Sequence, residues 1–210
     1  MIALVIGGAG SGKSAFAERL CLAAARRGSD APTRRGASAR QPAPPLYVAT
    51  MPRDGAEAGR RIERHRALRA GKGFELLERP LGLASARVPH CSVALLECLG
   101  TLVANELFRG WEGAGPLDPA RARAATVAGV GHLAAHAPHV VIVTNDVFAD
   151  GVPYDEGTMA YIDLLADLNR SIAARADALV EVVCGIPLWQ RGRGADWGLD
   201  EGKRGIDGRV

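Results

Sequence analysis

An α/β fold with a mostly parallel central sheet, covered by helices on both faces, is predicted by three observations. Short apolar runs recur along the chain, at Ile2–Ile6, Leu46–Thr50, Ser92–Leu96, Val140–Thr144 and Leu179–Cys184. Helix-forming stretches alternate with them, as βα crossovers require. The first run passes through glycines directly into a helical stretch, a strand–turn–helix order typical of a phosphate-binding unit.

The 210 residues suffice for one domain with a sizeable core, placed here at 1–189. A helix is expected over Lys13–Arg27, and Gly28–Pro45, rich in Gly, Ser, Pro and Arg, reads as a flexible surface insertion. Glu57–Ala70 carries helix formers and a dense row of arginines. Further helices are expected at Leu99–Phe108, at Ala120–Ala135 before Pro138, and at Ala160–Ala176. From Gln190 onward the Gly-rich, mixed-charge sequence reads as an unpacked extension, a disordered tail over 190–210.

The net charge of +3 is modest and its basic residues are dispersed, which argues against a nucleic-acid partner. Cys21, Cys91, Cys98 and Cys184 form no C-x-x-C pair and read as reduced, mostly buried thiols of a cytoplasmic protein. The apolar start runs straight into glycines and is neither a signal peptide nor a membrane span.

Gly7-Gly8-Ala9-Gly10-Ser11-Gly12-Lys13-Ser14 has the pattern of a P-loop. Glycines let the backbone curl so that its N–H groups converge on an anion, and the following helix presents its positive end to the same point. Lys13 is expected to reach the β- and γ-phosphates of a triphosphate and Ser14 to complete a Mg²⁺ shell. With the strand pattern this gives a P-loop NTPase fold, RecA-like in type. Such a site also wants a strand-end carboxylate for the metal. Glu97, after Val93–Leu96, is the better placed candidate, and Asp146, after Val140–Thr144, is the alternative.

Arg61, His65 and Arg69 fall four residues apart and share a helix face. Flanking guanidinium groups favour a neutral imidazole, which can attack phosphorus and form a phosphoramidate. Spacing alone favours the plainer reading, a solvated basic face with an incidental histidine. His132, His136 and His139 resemble a metal set, but Pro138 separates the last from the helix of the first two, and they read as exposed helix-end residues.

Together these residues resemble the bifunctional adenosylcobinamide kinase / adenosylcobinamide-phosphate guanylyltransferase family of cobalamin biosynthesis. The likeness runs from about Ile2 to Leu188. It is carried by the P-loop with Phe16-Ala17-Glu18, by Tyr47–Thr50, and by Arg61-Ile62-Glu63-Arg64-His65-Arg66 with Arg69 and Glu78-Arg79-Pro80. Leu95–Leu99 with Asn105, Val143-Thr144-Asn145 through Val152-Pro153, Asn169, Ala176-Asp177 and Gly185-Ile186-Pro187 complete it. The resemblance implies two reactions, phosphorylation of adenosylcobinamide by a nucleoside triphosphate (ATP or GTP) and transfer of GMP from GTP to adenosylcobinamide phosphate. It makes His65 the covalently guanylylated residue, and it places Thr50, Met51, Arg66, Ala67, Leu68, Arg69, Glu78 and Glu97 around the guanine nucleotide. It further implies a homo-oligomer, a trimer with nucleotide sites near subunit boundaries.

The chain departs from the family pattern at Asp146-Val147-Phe148, where Glu-Val-Gly is usual, and at Met159, Ile162, Ala166 and Phe74. By the resemblance, these changes bear on the corrinoid side more than on the nucleotide side and leave a second reading, a guanylyltransferase with weak or lost kinase activity. A non-catalytic nucleotide-binding regulatory protein is a third reading, against which stand the intact Lys13, Ser14, His65 and Glu97.

Overall fold

The computed structural model describes residues 1–29, 43–52, 71–110, 117–148 and 151–200. Seven strands form one sheet: β1 (Ile2–Gly7), β2 (Leu46–Ala49), β3 (Glu75–Glu78), β4 (Ala94–Glu97), β5 (Val140–Asn145), β6 (Ala178–Val183) and β7 (Ile186–Arg191). Their order is β3-β2-β4-β5-β1-β6-β7, parallel throughout except for the β6–β7 hairpin. The α/β class read from the sequence holds. β1 lies in the interior because its Ala3, Leu4 and Val5 side chains are apolar on both faces, as a doubly covered parallel strand requires.

Among the described residues the helices are α1 (Lys13–Ser29), α2 (Leu99–Leu107), α3 (Pro119–His136) and α4 (Glu156–Ala173). On one face of the sheet α1 buries Phe16, Ala17, Leu20, Cys21 and Ala24, an i, i+1, i+4, i+5, i+8 stripe, against Val5, Leu95, Val141 and Val180. The other face packs under α2, α3 and α4 through residues such as Leu102, Leu133, Leu165 and Leu168. Helix starts follow local chemistry. Asp118 precedes Pro119 and accepts from Arg121 N–H, and Asp155 accepts from Thr158 N–H. The Asp155 cap starts α4 earlier than the expected Ala160.

Two strands were not expected. β3 is a short edge strand whose Glu75 and Leu76 are exposed, so it lacks the alternation that marks a half-buried strand. β7 contains Pro187, a residue that demotes a strand from sequence and is tolerated here because β7 is the sheet edge. The expected unpacked extension from Gln190 onward does not hold for residues 190–200. β7 runs through Arg191, and a 3-10 turn at Gly194–Trp197 packs on α1. Trp197 is fully buried there, Trp189 meets Phe16 edge-to-face at 6.0 Å, and Arg27 Nη1 donates to Ala195 O at 2.6 Å. The apolar area of two tryptophans outweighs the local glycine content.

The borders of the expected 28–45 insertion are also structured. Residues 28 and 29 close α1, while the carbonyls of Pro44 and Pro45 accept from Ser92 and Glu75 N–H. Most of that insertion, 30–42, lies outside the described residues, as do the expected Glu57–Ala70 helix and residues 201–210.

Gly129 on α3 faces Leu83 so closely that an added Cβ would stand 2.8 Å from Leu83 Cβ. Gly129→Ala is expected to lose about 1–3 kcal/mol through overpacking, read as a lower urea midpoint at unchanged slope.

Candidate active site

The P-loop follows β1 as expected. Gly10 and Gly12 adopt φ of 71° and 86°, conformations that side chains with a Cβ avoid. Gly7 is required for space, since a Cβ there would meet Ser11 Oγ at 2.5 Å and Val182 O at 2.7 Å. The loop closes with Ser11 N–H donating to Gly8 O and Phe16 N–H to Gly12 O. A second support comes from the far end of the chain. The β6–β7 hairpin turns through Cys184 and Gly185, both at positive φ, and Gly185 N–H donates to Ser11 O at 2.8 Å. That two-residue turn matches the type I′ hairpin geometry.

Lys13 is buried, with 8% of its surface exposed, and its ammonium donates to Gly8 O at 3.1 Å. Among the described residues no carboxylate lies within salt-bridge distance of it. With that carbonyl as its partner among the described residues, the buried cation is an unbalanced charge that an anion entering the loop would balance.

Ser14, on the first turn of α1, donates through its hydroxyl to Glu97 Oε1 at 2.8 Å. This bond spans β5, which lies between β1 and β4 in the sheet. Of the two carboxylates left open by the sequence, Glu97 is the one joined to Ser14. Asp146 lines the same cavity but is exposed. Hydroxyl and carboxylate oxygens side by side are the donor set a hard divalent cation takes.

Thr50 is fully buried, and its side chain is engaged by the backbone of a neighbouring strand end. Its hydroxyl proton is shared between Glu97 O at 3.0 Å and Cys98 O at 2.9 Å, and its oxygen accepts from Cys98 N–H at 2.8 Å. The side chain therefore fixes the strand end that carries Glu97, while Ala49 and Met51 on either side line the cavity.

That cavity, of about 500 Å³, runs from Ala9, Gly10, Lys13 and Ser14 across Glu97 to Met51 and Glu78. The structure thus brings together the P-loop, Met51, Glu78 and Glu97. Tyr47, Cys98, Thr101 and Asn145 also line it, and none was singled out from sequence as a site residue. Asn145 and Cys98 each directly follow or end a strand, the signal that pointed to Glu97. His65, Arg66, Ala67, Leu68 and Arg69 lie outside the described residues. The three later histidines do not converge. His132 Nε2 is 2.8 Å from Ala86 O, the His132 and His136 rings stand 4.2 Å apart, and His139 packs on Trp197. Among the described residues no group of His, Cys, Asp and Glu is arranged to hold a metal by itself.

Burial pushes the Cys98 thiol up, with Glu97 adding to the rise and Thr101 and Lys13 opposing it. Burial also raises Cys21 well above its ordinary value and Cys91 to about 11. Cys184 alone among the four is exposed. A disulfide reagent at pH 8 is expected to titrate Cys184 first, and Cys184→Ser to remove the fast phase, because the thiolate is the reactive form.

No helix among the described residues is long and apolar enough to cross a membrane. The family model for "Cobinamide kinase / cobinamide phosphate guanyltransferase" matches residues 3–189. The chain is 31% identical over 197 residues to the bifunctional adenosylcobalamin biosynthesis protein CobP of Pseudomonas aeruginosa, covering 90% of this chain and 96% of that protein. It is 32% identical to the bifunctional adenosylcobalamin biosynthesis protein CobU of Escherichia coli, over 89% of this chain and 97% of the relative. The Salmonella typhimurium protein of the same name is 31% identical over 89% of this chain and 97% of its own. A parallel sheet with a glycine loop after its first strand, a buried lysine, a serine bonded to a strand-end glutamate and a match over nearly the whole chain lead to one conclusion: the chain belongs to the cobinamide kinase / cobinamide phosphate guanyltransferase family.

Proposed function

We propose that this chain catalyses two transfers in adenosylcobalamin biosynthesis, the phosphorylation of adenosylcobinamide and the guanylylation of adenosylcobinamide phosphate. The observation that carries this reading is the single cavity holding both a buried, anion-seeking Lys13 and the Ser14–Glu97 pair, with Glu78 at its far end. One nucleotide site of that length accommodates a triphosphate at the loop and a base beyond the ends of β2 and β3.

In the kinase reaction the aminopropanol hydroxyl oxygen of adenosylcobinamide bonds to the γ-phosphorus, the β,γ-bridging P–O bond breaks, and the hydroxyl proton departs to solvent or base. In the guanylyl reaction a neutral His65 nitrogen attacks the α-phosphorus of GTP, and pyrophosphate leaves. The phosphate oxygen of adenosylcobinamide phosphate then displaces His65 from that phosphorus, giving adenosylcobinamide-GDP. Both transfers put charge on non-bridging oxygens, which the loop N–H groups and Lys13 stabilise. By their spacing in the sequence, Arg61 and Arg69 would flank His65 and extend that positive field. Ser14 and Glu97 fit Mg²⁺ as oxygen ligands, and the ion supplies charge neutralisation on the triphosphate when bound. Met51, Glu78 and the stretch 66–69 form the guanine side, in keeping with the family resemblance.

A second reading, guanylyltransferase with little kinase activity, is favoured by one feature. Phe148 stands 38% exposed just after the cavity-lining Asn145, Asp146 and Val147, where the family usually has glycine. A bulky ring there narrows the approach of a large second substrate, and a Phe148→Gly variant no better with adenosylcobinamide than the parent removes that reading. The assembly is proposed to be a homotrimer, measurable by light scattering.

The test is to incubate the chain with α-labelled GTP, denature it, and look for acid-labile label. Its presence, and its loss in His65→Ala, supports the guanylyl-histidine. An unlabelled chain sinks that half of the function. Adding adenosylcobinamide with ATP or GTP then reads the kinase step separately.

A further inference from the structure

We infer that Asn105 is a positioning residue that holds the Met51 and Glu78 loops together as the nucleoside wall of the nucleotide cavity. This rests on the reading of that cavity as a nucleotide site and extends it to a residue outside the cavity lining. One wall is the P-loop with Glu97; the other is Met51 and Glu78, carried by β2 and by the edge strand β3. The β2–β3 ladder ends at the Ala49–Glu78 pair, with one further bond from Arg79 N–H to Ala49 O. Past that point the sheet no longer holds the two loops together.

Asn105 takes over there. It lies on α2, and its amide nitrogen donates one hydrogen to Thr50 O at 2.8 Å and the other to Pro80 O at 2.9 Å. Those carbonyls sit immediately before Met51 and two residues after Glu78. The same Thr50 holds the Glu97–Cys98 backbone through its hydroxyl. A continuous set of bonds thus runs from Pro80 through Asn105, Thr50 and Glu97 to Ser14 on the P-loop helix. The next residue, Glu106, accepts from Gly82 N–H at 2.7 Å, so α2 grips the β3 loop at two points. The chemistry selects a primary amide. Two neutral hydrogens meet two carbonyls, whereas aspartate would aim oxygen at oxygen and alanine would leave both carbonyls without these donors.

The consequence is selective. Slackening this brace moves the Met51–Glu78 wall, which meets the nucleoside end, and leaves the P-loop's own bonds in place. The experiment compares Kd for GTP and for inorganic tripolyphosphate, with Mg²⁺, in the full chain and in Asn105→Ala, alongside Tm. The expected result is a loss of about tenfold or more for GTP, corresponding to one or two hydrogen bonds, with tripolyphosphate affinity nearly unchanged. Unchanged GTP affinity, or a parallel fall for both ligands, overturns the inference, as does a parent chain that binds the two ligands equally. If Asn105→Ala does not fold, the nearly isosteric Asn105→Asp carries the same comparison. A chain that binds GTP selectively but takes no label on His65 refutes the proposed guanylyl transfer and leaves this inference standing.

Discussion

Lys13→Ala is expected to lower both phosphoryl and guanylyl transfer by about a hundred- to a thousandfold while leaving the folded protein at least as stable. The catalytic loss follows from removing the single charged donor of the P-loop, whose effect in a water-poor site is of the size of an oxyanion-hole donor. The stability half follows from burial. Lys13 is 8% exposed, its ammonium rests on Gly8 O, and no carboxylate among the described residues pairs with it. Deleting a desolvated, unbalanced cation relieves a cost of folding. The measurement is kcat/KM for each reaction beside a thermal melt. A variant that loses activity together with several degrees of Tm would mean that Lys13 holds the loop's shape and not its ligand.

His65→Ala carries the other large effect, and it is one-sided. On the proposed reading the imidazole forms the bond to the α-phosphorus, so the variant loses all covalent label and guanylyl transfer falls by at least about a thousandfold. Phosphorylation of adenosylcobinamide continues, because that reaction moves a γ-phosphoryl group directly between oxygens. Intermediate product should then accumulate as adenosylcobinamide phosphate. Equal loss of both activities would place His65 in shared nucleotide binding and not in covalent catalysis.

Much of this architecture was legible because it is written locally. A P-loop is contiguous, and an apolar run such as Val140–Thr144 declares a buried strand without reference to its partners. What escaped depends on distant partners. β3 shows no alternation because it is a half-exposed edge, and Pro187 disguises β7. The ordering of 190–200 depends on Trp189 and Trp197 finding α1, more than 160 residues earlier in the chain. At the site, the sequence ranks Glu97 ahead of Asp146 as the strand-end carboxylate but does not show what either touches. The Ser14–Glu97 contact appears only when α1 and β4 are placed. Thr50 illustrates the same limit. Its motif marks a site residue, yet only the fold reveals that its hydroxyl is spent on the Glu97–Cys98 backbone.

The position of β1 between β5 and β6, with Gly185 braced on Ser11, has a consequence for biosynthesis. The phosphate loop is made before both strands that pair with β1, which begin at Val140 and Ala178. Its last backbone support arrives with Gly185. The nascent chain must therefore carry an unpaired Ile2–Ile6 segment until those strands are made, and such long-range pairing is slow and open to aggregation. Nucleotide-binding competence is acquired only once Gly185 has been made, so a product terminated before it would carry an intact motif and no working loop.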